Sequence, residues 1–293
     1  MDFKEFLENI VIALPEYLLQ YDIEDIHIEE VYKNNGVKCT GLAICIKDEN
    51  ISPNIYLEYF YSLYKQGSSI EEILELIRDE YNEARIRMLN DEYIEMTKED
   101  LADNVFIKLV NYERNEAVLR ECPHMRFLDL AITFRYLVKQ DEEGIASALI
   151  KNIEMDRWDI SLEELYQYAY DNTRRLFSPM IKPISQVLNE LTDGLDIPDD
   201  NNLYVLSNEH GINGATCIIY QDLLHQLAVD RGTNIYILPS SIHEVLLLPE
   251  GDNTDSCQLV EMVKEINEFV VRDIDFLSDT VYIYDLNDQC IKF

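Results

Sequence analysis

The stretch NIYILPSSIHEVLLLPE, residues 234–250, decides the fold of the C-terminal part of the chain. Two apolar runs, Ile235–Leu238 and Val245–Leu248, flank the polar segment 239–244. Short apolar runs that are bounded by turn-forming residues are typical of buried strands. The pattern therefore predicts two paired strands joined by a tight corner, in which backbone geometry places the polar side chains.

The rest of the C-terminal region continues this alternation of strands and helices. The segments LYVLSN, GATCIIY, TVYIYD and QCIKF have the composition of strands, whereas QDLLHQLAVDRG and CQLVEMVKEINEFVV have helical spacing. Upstream, Ser161 and Glu164 form a capping-box pattern that starts a helix over 161–177. A second short helix is predicted over 178–194.

The N-terminal region shows a similar mixture of elements. Apolar residues at helical spacing predict an amphipathic helix over 2–20, in which Pro15 marks a kink or a new turn. The segments DIHIEEVYK and VKCTGLAICIK predict a hairpin around NNG. Ser52 is predicted to cap the next helix, and Ser69-x-x-Glu72 is predicted to start another.

Together these elements predict an α+β fold, in which helices pack on one face of antiparallel sheets in recurrent β-β-α units. The recurrence falls near residues 24–88, 127–190 and 203–272. Three regions are predicted: an N-terminal α+β region (1–95), a central β-hairpin with helices (96–194) and a C-terminal α+β domain (195–293). The acidic, proline-containing segment 195–202 is the predicted linker.

The composition is that of an acidic globular protein. Apolar residues make up 47% of the chain, and 57 acidic against 24 basic residues give a net charge of −33. A field of this sign repels nucleic acid and anionic membranes, so we expect neither as a direct partner. It suits either a solvated surface, a surface for a basic partner protein, or an imitation of the charge of DNA.

Cysteine usage and the absence of export signals indicate a cytoplasmic protein. The six cysteines include no C-x-x-C pair and lie mostly in apolar runs, which predicts buried free thiols in a reducing compartment. The N-terminus is acidic from Asp2 and lacks the basic start of a signal peptide. No apolar run is long enough for a membrane span.

Two segments, SNEHGINGA (207–215) and LPSSIHEV (238–245), carry a resemblance to a known family. With WDISLEELYQYAYDNTRRLFSP upstream, they resemble an uncharacterised family of bacterial domains of unknown function that is common in Firmicutes. The order of elements is also distantly similar to that of the YtpQ-like proteins of bacilli. The resemblance implies a cytoplasmic bacterial protein and no particular reaction. The matching positions are Asn208, Asn213, Gly214, Ala215, Pro239, Ser240, Ser241, His243 and Glu244.

The same two segments supply the candidate functional residues. Both lie at strand ends separated by one helix, so their polar side chains are expected to gather in a small pocket. In one interpretation Ser241 is a nucleophile and His243, on the same strand face, is its base, oriented by Glu244 or another acid. In the other, the serines satisfy backbone groups at a turn and the corner is structural. The candidates for ligand binding are Asn208, Asn213, Ser240, Ser241 and His243.

Known metal and cofactor motifs are not recognisable in the sequence. His243-Glu244 lacks the second histidine of H-E-x-x-H, because residue 247 is leucine. His27, His124 and His225 are scattered along the chain, and no phosphate-binding glycine loop occurs. We therefore predict neither a metal nor a cofactor.

Three functions follow from these observations. The leading hypothesis is a non-enzymatic binding or regulatory protein whose partner is another protein. The second is a small hydrolase-like or ligand-processing domain that uses Ser241 and His243. The third is an acidic mimic of DNA that occupies a DNA-binding protein.

Overall fold

Helices and antiparallel sheets alternate in the computed structural model, which describes residues 1–49, 52–90, 97–141, 144–192, 202–252 and 254–293. The fold is α+β, as the sequence predicted. The chain forms two compact units. Unit 1 consists of Met1–Lys33 and Val37–Glu95, and unit 2 consists of Asn34–Gly36 and Met96–Phe293.

Unit 1 is a three-stranded antiparallel sheet with helices packed against it. An Asp2–Glu5 capping box starts the first helix, and Pro15 lies in the 3-10 turn that follows it. Alternate residues of the hairpin face the core, where Leu42 and Ile44 are fully buried. Its elements are α1 (Phe3–Ala13), β1 (Ile23–Tyr32), β2 (Lys38–Ile46), β3 (Ile55–Tyr56), α2 (Leu57–Gln66) and α3 (Ile70–Asn90).

One helix start in unit 1 differs from the sequence prediction. Helix α2 begins at Leu57 rather than after Ser52, because Ile55 and Tyr56 first pair with β2 as a short strand. The next predicted start is confirmed: Ser69 and Glu72 exchange the two hydrogen bonds of a capping box at the beginning of α3.

Unit 2 contains two antiparallel sheets that share one hydrophobic core. The elements are α4 (Lys98–Asn104), β4 (Val105–Asn111), α5 (Glu116–Leu119), β5 (His124–Phe127), β6 (Leu130–Asp141), β7 (Gly144–Leu149), α6 (Asn152–Trp158), α7 (Leu162–Leu176), β8 (Pro179–Pro183), α8 (Ile184–Leu191), β9 (Tyr204–Asn208), α9 (Gln221–Arg231), β10 (Ile235–Pro239), β11 (Val245–Pro249), α10 (Ser256–Phe269), β12 (Tyr282–Asp285) and β13 (Cys290–Lys292). One sheet has the order β4-β6-β5 with β7 beside β6, and the other has the order β13-β12-β10-β11-β9-β8.

The strands of the quoted stretch form as predicted. β10 and β11 pair antiparallel from Ile235 opposite Pro249 to Pro239 opposite Val245. β9 adds to the other edge of β11, with Leu206 opposite Val245. This arrangement brings the end of β9 beside the corner between β10 and β11.

Two predicted elements of unit 2 are wrong. Gly214–Ile219 is a 3-10 helix rather than a strand, because periodicity cannot distinguish the two in a short run that is buried throughout. Residues 179–183, predicted as helix, form β8 at the edge of the six-stranded sheet, where proline is tolerated because no ladder bond is lost.

Several sequence predictions stay predictions. The predicted linker lies outside the described residues, apart from Asn202. Strand β8 from the predicted central region pairs with β9 from the predicted C-terminal region. The three-region division and the proposed recurrence of β-β-α units both stay predictions.

The cysteines are free thiols, but most of them are not buried as predicted. Cys122 and Cys217 are buried, whereas Cys257 is exposed and the remaining three are half-buried. Burial raises the pKa of the Cys122 thiol to about 11 and that of Cys217 to about 12, so both stay protonated near neutral pH. Within the described part of the chain, no helix has the length and apolar character needed to cross a bilayer.

Candidate functional site

The segment between β10 and β11, Ser240–Glu244, is a tight turn that we call the corner. The Ser241 N–H donates to the Glu244 carbonyl at 3.2 Å, and the His243 N–H donates to Ser241 Oγ at 2.9 Å. Ile242 points into the core and is 5% exposed. A serine that accepts a backbone N–H two residues later is a common turn-forming contact, so the sequence fixes the corner locally.

The corner lines an open cleft of about 430 Å³, which we call the corner cleft. The opposite wall comes from the end of α10 and the residues that follow it. This wall combines apolar side chains with one ion pair, so the cleft is amphipathic. Its lining residues are Gly211, Ser240, Ser241, His243, Glu244, Ile266, Val270, Val271, Arg272 and Asp275.

Both serines of the corner contact the Glu244 carboxylate. Ser240 Oγ donates to Oε1 of Glu244 at 3.1 Å, and Ser241 Oγ donates to the same atom at 2.9 Å. Among the described residues, Oε2 of Glu244 accepts no hydrogen bond. The two hydroxyl groups therefore hold the carboxylate in place while one of its oxygens is left for a ligand.

Both nitrogens of the His243 ring have partners within the protein. The Asn213 N–H donates to Nδ1 at 3.3 Å, and Nε2 lies 3.3 Å from Oδ1 of Asp275. Because Nδ1 accepts a hydrogen bond, these partners assign the proton of the neutral ring to Nε2, which donates to Asp275. The ring therefore has no free lone pair with which to accept a proton from Ser241.

Asp275 joins His243 to the opposite wall of the cleft. Its Oδ2 accepts from Nε of Arg272 at 2.7 Å, and Nη2 of the same guanidinium lies 2.6 Å from this oxygen in an ion pair. The Asp275 carbonyl also accepts from the N–H of Ile242 at 2.8 Å. Residue Asp275 therefore ties the corner to the segment after α10 through both its side chain and its backbone.

The second motif segment lies directly behind the corner. Ser207 Oγ donates to the His243 carbonyl at 2.8 Å, and the N–H of Ala215 donates to the carbonyl of Ile242 at 3.2 Å. A Cβ atom on Gly214 would lie 2.1 Å from Ser207 Oγ and 2.5 Å from the His243 carbonyl oxygen. Only glycine allows this close approach of the backbone.

Asn208 and Asn213 shape the loop that supports His243, and their side chains are not in the lining of the corner cleft. Asn208 is 2% exposed; its Nδ2 donates to the Ile212 carbonyl, and its Oδ1 accepts from the N–H of His210. Asn213 has a left-handed φ of 54° and contacts His243 through its backbone.

The wall opposite the corner could not be predicted from the sequence. Ile266, Val270, Arg272 and Asp275 follow ordinary helical and loop patterns, and neither their types nor their spacing marks them as part of a site. The signal that brings Asp275 to the corner is tertiary, because its backbone contact to Ile242 spans more than thirty residues.

One group of metal-ligating side chains lies in unit 1. Asp25, His27 and Cys45 each offer a ligand atom, and these atoms all lie within 4.8 Å of one another. His27, which the sequence analysis treated as isolated, hydrogen bonds through Nδ1 to Oδ2 of Asp25 at 2.8 Å. The pairing of β1 with β2 thus brings together a donor set whose members lie up to twenty residues apart along the chain.

Comparison with known proteins gives a family and no activity. The model of DUF5688, described as a family of unknown function, matches residues 3–286, nearly the whole chain. Neither a curated protein nor a solved structure gives a significant match.

Proposed function

We propose that this chain, which belongs to DUF5688, is a non-enzymatic protein that binds a basic segment of another protein in the corner cleft. The observation that carries the proposal is the Glu244 carboxylate, which Ser240 and Ser241 hold through one oxygen. A carboxylate fixed in this way is ready for a charge-assisted hydrogen bond from an ammonium or guanidinium group. Little reorganisation is then required on binding.

The charge of the cleft and of the whole chain supports a cationic ligand. The Arg272 guanidinium is paired with Asp275, so it neutralises that carboxylate and leaves the charge of Glu244 uncompensated within the lining. The net charge of −33 adds a long-range field that attracts a basic partner and speeds its association.

The apolar wall supports a peptide rather than a bare cation. Ile266, Val270 and Val271 line the cleft, and Val270 is 74% exposed. Beside them Phe269 is 80% exposed at the end of α10. The aliphatic stem of a lysine or arginine, or an apolar neighbour in the same peptide, would cover this surface.

A display library of random peptides, selected on the purified chain, tests the proposal. We expect enriched peptides that combine lysine or arginine with a nearby apolar residue. The enrichment should disappear with Glu244→Gln and persist with Glu268→Gln, which removes the same charge from an exposed position on α10 outside the cleft lining. Selection without a basic consensus, or an equal result with both variants, would contradict the proposal.

A hydrolase-like role remains the second candidate, because the hydroxyl of Ser241 lies 2.9 Å from a carboxylate in an open cleft. In the geometry described above, the partner of that hydroxyl is Glu244 and not the ring of His243. Labelling with a fluorophosphonate, which reacts with activated serines, separates the two candidates. The binding proposal expects no labelling, whereas a label lost in Ser241→Ala would favour the hydrolase.

The remaining parts of the proposal rest on the sequence. We retain a cytoplasmic location and a bacterial origin as predictions, together with the distant similarity to YtpQ-like proteins. The third alternative, an acidic mimic of DNA, also stays a prediction. It requires that the protein compete with DNA for a DNA-binding protein, which a displacement assay with labelled duplex measures.

A further inference from the structure

The outer face of the β1–β2 hairpin in unit 1 carries three side chains that ligate transition metals. The register places Asp25 directly opposite Cys45, and His27 follows two residues along β1, opposite Ala43. Because side chains of a strand alternate between its faces, Asp25 and His27 project to the same side.

This face is the solvent-accessible side of the sheet. The alternate residues Leu42, Ile44 and Ile46 are buried in the core, so Cys45 projects away from it and is half-buried. The side chains of His27 and Asp25 are 47% and 61% exposed. An ion in solution therefore reaches the cluster without unfolding of the hairpin.

The ligand atoms are close to the spacing that a tetrahedral ion needs. All three lie within 4.8 Å of one another, and the Asp25–His27 pair is 2.8 Å apart. With zinc bond lengths of about 2.0–2.3 Å, ligand atoms of a tetrahedral shell lie roughly 3.3–3.8 Å apart. Small rotations of these exposed side chains would therefore bring the three ligand atoms to the spacing of a tetrahedral zinc shell.

The donor types favour one class of ion. A thiolate and an imidazole bind zinc and similar borderline-soft ions, whereas calcium and magnesium prefer shells made of oxygen atoms. Three protein ligands with one open position filled by water are a common zinc arrangement.

We propose that Asp25, His27 and Cys45 form a site for one Zn²⁺ or a chemically similar divalent transition-metal ion. The ion bridges β1 and β2 through side chains on opposite strands, and it displaces the proton of the Cys45 thiol. The site is independent of the corner cleft, since all its ligands lie in unit 1.

Titration with Co²⁺ under reducing conditions tests this site, because cobalt replaces zinc in tetrahedral sites and gives a near-ultraviolet charge-transfer band when a thiolate binds it. We expect this band to saturate at one cobalt per chain and to disappear when Zn²⁺, which binds more tightly, is added. The absence of a thiolate band, or a band that Cys45→Ser leaves unchanged, would overturn the proposal.

Matched variants separate the site from binding by the acidic surface. Cys45→Ser and His27→Ala should each weaken Zn²⁺ binding by at least about ten-fold, since even loss of a partner outside the ligand set costs that much in known sites. Cys39→Ser, on the same face of β2, and Glu24→Gln, an exposed carboxylate beside Asp25, should change it by less than about two-fold. Equal losses in the ligand variants and these controls would contradict the proposal.

Folding of the variants is checked by far-ultraviolet circular dichroism. If Cys45→Ser unfolds the hairpin, His27→Ala provides the test instead, because the half-exposed ring of His27 contributes little to packing. A folded His27→Ala chain that binds Zn²⁺ as tightly as the unaltered chain would overturn the site.

Discussion

Gly214 is the residue on which the candidate site most depends. Its missing side chain lets the loop after β9 lie against the corner, where Ser207 Oγ donates to the carbonyl of His243. The pair Asn213-Gly214 in the sequence indicates a turn, but it does not predict which backbone segment packs against Gly214. That information depends on the pairing of β9 with β11.

Gly214→Ala should destabilise the folded chain by about 3 kcal/mol or more, because the added Cβ would lie within 3.0 Å of three atoms, two of which are backbone. Urea unfolding measures the loss. Gly251→Ala is the control, since its Cβ would contact only Thr254 Oγ1 at 3.6 Å. Similar urea midpoints for both variants would show that the chain does not pack against Gly214 as closely as described.

Lys108 on β4 gives a prediction that depends on pH. Burial, with the like charge of Arg135, lowers the pKa of its ammonium group to about 8 from an ordinary value of 10.5. Below about pH 8 the ammonium group of Lys108 is therefore charged in the folded chain, although burial disfavours that charge. Between about 8 and 10.5 the folded state loses this proton before the unfolded state does, so stability rises with pH.

Lys108→Met should therefore raise the free energy of unfolding at pH 7 by on the order of 2 kcal/mol. The gain should shrink as the pH rises from about 8 to 10.5. Chemical unfolding at a series of pH values measures it, with the exposed Lys264→Met as the control. A gain that is independent of pH would indicate a packing effect instead of a charge effect.

At the scale of elements, the strands that bear the candidate site were predictable and their surroundings were not. β10 and β11 have distinct apolar runs with a polar corner, so composition alone predicts them. All six residues of Gly214–Ile219 are buried, so the run has no polar–apolar periodicity that would distinguish a 3-10 helix from a strand.

The cluster in unit 1 was within reach of the sequence. A hairpin centred on Asn35 pairs residues whose numbers add to 70, and this register places Cys45 opposite Asp25. The D-x-H spacing then puts His27 on the same face. The predicted hairpin therefore already implies that His27, Asp25 and Cys45 lie close together.

Helix α7 supplies a prediction about helix capping. Ser161 Oγ accepts from the N–H of Glu164 at 3.2 Å, and the Glu164 carboxylate accepts from the N–H of Ser161 at 3.0 Å. Ser161→Ala should lower the free energy of unfolding by about 1 kcal/mol. Gln167→Ala, at an exposed position within the same helix, should change it by less than about 0.5 kcal/mol in urea unfolding. Equal effects would mean that the capping box does not stabilise the chain.

At the scale of the whole molecule, charge is the dominant feature. A net charge of −33 on 293 residues creates self-repulsion that favours expanded states. Raising NaCl from about 10 mM to about 300 mM shortens the screening length from about 30 Å to under 10 Å and should raise Tm. Differential scanning calorimetry measures the change, and a Tm that falls with added salt would contradict this view.

The same acidity could be read directly from the sequence, whereas the pairing of β8 with β9 could not. Pairing of β8 with β9 joins residues on either side of the predicted boundary near residue 194, and a long-range strand pair of this kind leaves no local signal. Net charge is a sum over residues, so it can be calculated from the sequence without a structure.

The central claim is that the Glu244 carboxylate in the corner cleft holds a basic segment of a partner. Fluorescence anisotropy with a labelled basic peptide from the library selection measures it most directly. We predict that Glu244→Gln weakens binding at least about ten-fold, or about 1.4 kcal/mol, and that Glu268→Gln changes it less than about two-fold. Equal affinities for the Glu244→Gln variant and the unaltered chain would contradict the claim.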